Sequence, residues 1–153
     1  MPPADPPRAR LFLDTSALFA GIWSAAGGAR ALLLWGEAGL VELLVSSEVL
    51  AEIEAVLRRK APELLGCVTV LLARAQITVV PAAEPRSLAV LADALVRPGD
   101  VAVVAAALAA QPDFLVTLDR QHLLDNEVLA ERCPFPIGTP GDALAWWRAR
   151  YAG

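Results

Sequence analysis

The chain has 153 residues, enough for one domain with a buried core, and 56% of them are apolar, giving a mean hydropathy of +0.51. Its longest uninterrupted apolar run, Val101 to Ala110, falls well short of the roughly 20 residues a helix needs to span a bilayer. The formal net charge of −4 excludes a broadly basic nucleic-acid coat, but not a substrate drawn in by local arginines and bound cations.

The apolar surplus is therefore expected in a sheet buried on both faces, with some left for a homodimer interface and none for a membrane. Pro2 to Arg10 holds four prolines and no apolar core, which fits neither a signal peptide nor a membrane anchor. Residues 1–9 are expected to form a flexible tail, and residues 10–153 a single domain. Cys67 and Cys133 form no CxxC pair, and the one histidine, His122, has no partner at metal-ligand spacing. Zinc and a disulfide framework are disfavoured, a reducing cytoplasm is the expected location, and any Ser-His or Cys-His nucleophile would rest on His122 alone.

Arg10 to Asp14 reads as a short buried strand, followed by a polar turn and a Gly27-Gly28 break. A helical pattern runs through Ala31, Leu34 and Trp35 and closes at Gly39; Leu40 to Val45 is a second strand. Ser46-Ser47 supplies an N-cap for a helix reaching Lys60, with Glu48 in its first turn. Pro62 opens a further helix to about Ala75, and Ile77 to Val80 is a third strand. Pro85 to Val96 is helical; Pro98-Gly99-Asp100 punctuates, and Val101 to Ala110 is an alanine-rich helix. Phe114 to Leu118 is a fourth strand ending at Asp119, Arg120 to Arg132 a helix, and Phe135 to Gly138 a short fifth strand. An amphipathic helix over Asp142 to Tyr151 closes the chain, with Trp146 and Trp147 as one core and one rim residue. Strands alternating with helices predict an α/β fold, a three-layer α/β/α sandwich around a mostly parallel sheet of four to five strands.

In such sheets ligands gather outside the carboxyl ends of the strands. Asp14 and Asp119 both stand there, each beside hydroxyls (Thr15 and Ser16; Thr117) that can orient a carboxylate. Asp100, after Pro98-Gly99 and before an uninterrupted helix, taken alone reads as a helix N-cap rather than a ligand. Glu52 and Glu54 border the apolar stripe of their helix on opposite sides, and periodicity does not choose between them.

Four segments in order carry a family resemblance: Leu11-Phe-Leu-Asp14-Thr-Ser-Ala-Leu18, Val45-Ser-Ser-Glu-Val-Leu-Ala-Glu52-Ile53, Pro98-Gly-Asp100 with its following helix, and Thr117-Leu-Asp119-Arg120. Together with Ile137-Gly-Thr-Pro140 they resemble the PIN-domain nucleases, in particular the bacterial toxin-type PIN proteins of toxin–antitoxin pairs. The resemblance implies a PIN-like fold, the acidic positions Asp14, Glu52 (rather than Glu54), Asp100 and Asp119, and the supporting hydroxyls Ser16 and Thr117. It implies a ribonuclease acting on single-stranded or structured RNA, with an antitoxin protein as partner.

Carboxylates brought together repel: a pair about 4 Å apart costs about 4 kcal/mol at an effective dielectric of about 20. An all-oxygen set of this kind suits Mg²⁺ or Mn²⁺. The expectation is that Asp14 and Asp100 bind metal most directly, with Asp119 and Glu52 completing the shell. The cations would ready a water for attack and offset charge on the leaving oxygen. Arg97 and Arg120 are candidates for the substrate phosphate, or for pairing with a carboxylate. Arg58-Arg59-Lys60 reads as a basic helix terminus, and His122 as a surface or packing residue.

The rival from another class is a PIN-like module that binds a protein partner with an idle site. A phosphotransfer receiver lacks its paired N-terminal acids here, and a haloacid-dehalogenase-type phosphatase needs a second Asp where Ser16 stands.

Overall fold

The computed structural model describes residues 7–152. Five strands, β1 (Ala9–Leu13), β2 (Val41–Ser46), β3 (Thr78–Val80), β4 (Phe114–Val116) and β5 (Ile137–Gly138), form one sheet in the order β3-β2-β1-β4-β5. Every pairing is parallel, with Leu11 opposite Leu43 on one side and Phe114 on the other. The expected α/β sandwich is the one observed. β1 lies at the centre, and Leu11, Phe12 and Leu13 are all buried, as a strand covered on both faces requires.

The connections carry α1 (Thr15–Trp23), α2 (Gly28–Glu37), α3 (Ser47–Lys60), a 3₁₀ turn at Pro62–Leu64, α4 (Leu65–Arg74), α5 (Pro85–Leu91) and α6 (Pro98–Ala110). A π-helical turn over Arg120–Leu124, α7 (Glu127–Arg132) and α8 (Pro140–Tyr151) complete the chain. α2 packs against α1, α4, α8 and β2, while α5 and α6 pack together. The chain moves outward from β1 through β2 to β3, then crosses back to β4 on the other side of β1. With right-handed crossovers this reversal divides the helices between the two faces. It also makes the gap between β1 and β4 the switch point of the sheet.

Several boundaries differ from the sequence expectation, each for a local reason. Of the expected tail, residues 1–6 lie outside the described residues, and Ala9 is the fully buried first residue of β1. The polar segment after Asp14 is the start of α1 rather than a turn: Asp14 is its N-cap and accepts the Ala17 N–H at 2.9 Å. The helix expected to reach Val96 ends at Leu91, short of the extended conformation required before Pro98. The span expected as one helix from Arg120 to Arg132 is two elements, because Asn126 turns its side chain onto the Leu129 N–H and starts α7 afresh. α8 begins at Pro140, with a reciprocal cap between Thr139 and Asp142. Trp146 and Trp147 are both half-buried against the core, and Trp147 stacks with Tyr151. No single helix among the described residues is long and apolar enough to cross a membrane.

Candidate active site

At the switch point the Asp14 N–H donates to Val116 O at 3.1 Å and ties the end of β1 to β4, while the Thr117 N–H donates to Gly138 O at 2.9 Å and ties the end of β4 to β5. Beyond them opens a cleft of about 480 Å³ into which Asp14, Glu52, Asp100 and Asp119 all face. The four acids chosen from the sequence therefore meet in one place, from four different elements.

Asp14 is its buried floor. Oδ1 accepts from Ser16 Oγ at 2.7 Å and from the Ala17 N–H, and Oδ2 accepts from Thr117 Oγ1. Burial pushes the Asp14 carboxyl above its ordinary range, and the charge of Asp119 adds to this; the three hydrogen bonds oppose the rise without cancelling it. Ser16 Oγ also accepts the Leu118 N–H, and Thr117 Oγ1 the Asp119 N–H, so both hydroxyls hold the two strand ends as well as the carboxylate. Ser16 and Thr117 thus both hold the Asp14 carboxylate in place.

Asp100 is not a helix cap. α6 starts at Pro98 with Arg97 in the cap position, and the Asp100 carboxylate in the first turn is free of capping duty. It receives Arg97 Nε at 2.7 Å and Nη2 at 3.2 Å. The same Nη2 donates to Asp119, so one guanidinium spans both carboxylates. Asp119 also accepts the His122 N–H at 3.1 Å. Partial burial raises its carboxyl, but the His122 hydrogen bonds and the Arg97 charge outweigh that and leave it below the ordinary range.

Glu52 and Glu54 are separated by their surroundings. Glu52 lies at the cleft and accepts Thr15 Oγ1 at 2.8 Å, whereas Glu54 pairs with Arg58 along the outer face of α3. Lys60 also lines the cleft, which the sequence reading gave to a helix terminus; Glu52, Val56 and Lys60 fall at i, i+4 and i+8 and so share a face. Arg97 reaches the site. Arg120 does not: it opens the π-helical turn and faces Asp125 at 3.4 Å, largely exposed.

His122, set aside in the sequence, is in the cleft. One ligand atom each from Asp100, Asp119 and His122 lie within 4.8 Å of one another. This grouping includes Asp100 and Asp119 but not Asp14, whose oxygens accept from three protein donors. Oxygen-rich donors with a guanidinium seated across two of them make a place that favours positive charge, and a divalent cation fits it.

The sequence profile of the PIN domain matches residues 10–121, a span that takes in all four acids. The chain belongs to the PIN domain family. Members of this PIN family are in general nucleases, and the cleft stands where such a site belongs in a parallel sheet. Among solved structures, VapBC2 from Rickettsia felis bound to a DNA fragment from their promoter is similar, with a TM-score of 0.60 and 16% sequence identity. The match covers 84% of this PIN-domain chain and 96% of that one, which is likeness of fold. No curated protein matches the chain.

Proposed function

We propose that this PIN domain is a metal-dependent ribonuclease that hydrolyses RNA phosphodiester bonds. The observation that carries the reading is the convergence of Asp14, Glu52, Asp100 and Asp119 on one open cleft at the β1/β4 switch point. Asp100 and Asp119 would hold Mg²⁺ or Mn²⁺, with Glu52 at the rim and Asp14 beneath them. Bound there, the cation would activate water for attack on phosphorus and offset charge on the leaving oxygen. The protein's own part is placement. Ser16 and Thr117 fix the Asp14 carboxylate, α6 delivers Asp100 from its first turn, and Thr15 holds Glu52 toward the cleft. Arg97 and Lys60 are the cations at hand for the phosphate backbone. No side-chain nucleophile is required.

Mixed RNA incubated with the chain and Mn²⁺ or Mg²⁺ should be cleaved, and cleavage should vanish with EDTA and in Asp14→Asn and Asp100→Asn. Equal cleavage by the variants, or none by the wild type under either metal, would sink the catalytic reading.

We further propose that the enzyme works in the cytoplasm as the toxin of a toxin–antitoxin pair. The support is its resemblance to toxin-type PIN proteins and its likeness to VapBC2. Co-expression with the product of an adjoining short reading frame should yield a complex that does not cut RNA. A homodimer is proposed from large apolar side chains left exposed, among them Val90, Val96 and Val128. Sedimentation at micromolar concentration should give twice the chain mass, and a monomer there rules the homodimer out.

A further inference from the structure

The segment after Asp119 is built with an unusual turn. Leu124 N–H donates to Asp119 O at 3.0 Å and Asp125 N–H to Arg120 O at 2.8 Å, each five residues back, so the backbone makes a π-helical turn. Such turns are rare and occur frequently at functional sites. This one brings the ring of His122 back over Asp119, with Nδ1 at 3.3 Å from each carboxylate oxygen. Asn126 anchors the turn by donating to His122 O at 3.1 Å and to Ala94 O at 2.8 Å.

The ring is thereby presented to the same space as Asp100. Ligands about 2.1 Å from a metal lie about 3 Å apart when adjacent and about 4.2 Å when opposite. The donor atoms of Asp100, Asp119 and His122 lie within 4.8 Å of one another, so closing on an ion needs only a small shift. A second observation marks the spot as one for a cation: the Arg97 guanidinium already bridges the two carboxylates. Arg97 is half-exposed and can swing out to solvent.

We propose that His122 contributes Nδ1 as a nitrogen ligand beside Asp100 and Asp119, and that this nitrogen makes the cleft discriminate Mn²⁺ from Mg²⁺. The inference rests on the metal-dependent reading above. Beside Asp119 the ring donates Nδ1–H; with the proton shifted to Nε2 in the other neutral tautomer, the Nδ1 lone pair would be free for the metal. Imidazole suits transition metals, whereas Mg²⁺ takes oxygen donors and keeps several waters. Replacing one of three oxygens by a nitrogen therefore moves preference toward Mn²⁺. A histidine that merely hydrogen-bonds Asp119 would help both metals equally.

The chain has one histidine, which makes the experiment direct. Pulsed electron paramagnetic resonance of untagged protein loaded with Mn²⁺ should show imidazole nitrogen coupling, and that coupling can come only from His122. Calorimetric titrations should show His122→Ala and His122→Asn weakening Mn²⁺ binding by roughly 10–100-fold, with Mg²⁺ binding little changed. Bound Mn²⁺ without nitrogen coupling overturns the inference and leaves the metal-dependent reading standing. Equal weakening of both metals also overturns it, reducing His122 to a positioning residue for Asp119. Failure of the wild type to bind Mn²⁺ at all overturns the inference and the metal-dependent reading together. Should the variants not fold, the wild-type spectrum decides alone.

Discussion

Arg97 and Asp119, 22 residues apart in sequence, are joined by a guanidinium that also grips Asp100, so the cleft carries its own positive charge. A divalent cation entering the cleft would have to displace that charge. Each exposed ion pair of this kind is worth about 0.2–1 kcal/mol, so losing both should shift affinity by about two- to thirtyfold. Arg97→Gln is therefore expected to bind Mn²⁺ more tightly in calorimetric titration while its KM for RNA rises. Weaker Mn²⁺ binding in the variant would show that Arg97 organises the carboxylates rather than competing for them.

The two glutamates of α3 offer an internal control. Glu52→Gln should lower RNA cleavage by roughly 10–100-fold, the usual effect of losing a group that supports a metal site. Glu54→Gln, on the outer face beside Arg58, should leave cleavage at the wild-type rate. Initial rates at saturating metal test the pair, and the opposite ranking would remove Glu52 from the site.

Asp14 should cost stability when ionised. Its native carboxyl titrates above the ordinary 3.8 because it is buried, so the folded chain holds the proton more tightly than the unfolded one. Below pH 3.8 both states are protonated and no penalty exists; the penalty grows as pH rises from there and is complete above the raised native value. Asp14→Asn cannot ionise, and Thr117 Oγ1 can turn to accept from its amide. Its Tm should equal or exceed that of the wild type at pH 7, with the difference closing toward pH 3.8. A variant less stable at pH 7 than at pH 4, relative to wild type, contradicts this sign.

Gly36 sits where α2 meets β2. An added Cβ would lie 2.6 Å from both Ala75 O and Leu43 Cδ1. Alanine in a helix interior ordinarily gains about 0.5–1 kcal/mol over glycine, but overpacking a core costs about 1–3 kcal/mol. The clash wins, since one neighbour is a backbone carbonyl. Gly36→Ala should lower the urea midpoint, and a raised midpoint would show that α2 can shift.

The parallel sheet was legible because buried strands are written as plain apolar runs: Leu11 to Leu13, Leu43 to Val45 and Phe114 to Val116. Asp14 and Asp119 could be placed because each follows such a run. Helix starts were harder. Asp14-Thr15-Ser16 reads as a polar turn, and only the packing of Ala17, Leu18 and Ile22 against the core makes it the start of α1. Glu52 was beyond periodicity, since its role depends on α3 lying beside the Thr15 end of α1. Lys60 was recoverable from its spacing with Glu52. His122 was not, because the five-residue hydrogen bonds that turn it inward follow neither a 3.6- nor a 2-residue period.

The order of the strands also bears on how the protein is made. β1 waits at the middle of the sheet for β4, which pairs with it about a hundred residues later. Asp14 acquires Thr117 only at that moment, and Asp100, Asp119 and His122 are likewise made long after β1. A chain that stops before β4 carries no assembled cleft, so the four carboxylates cannot meet until the segment through Asp119 has been made.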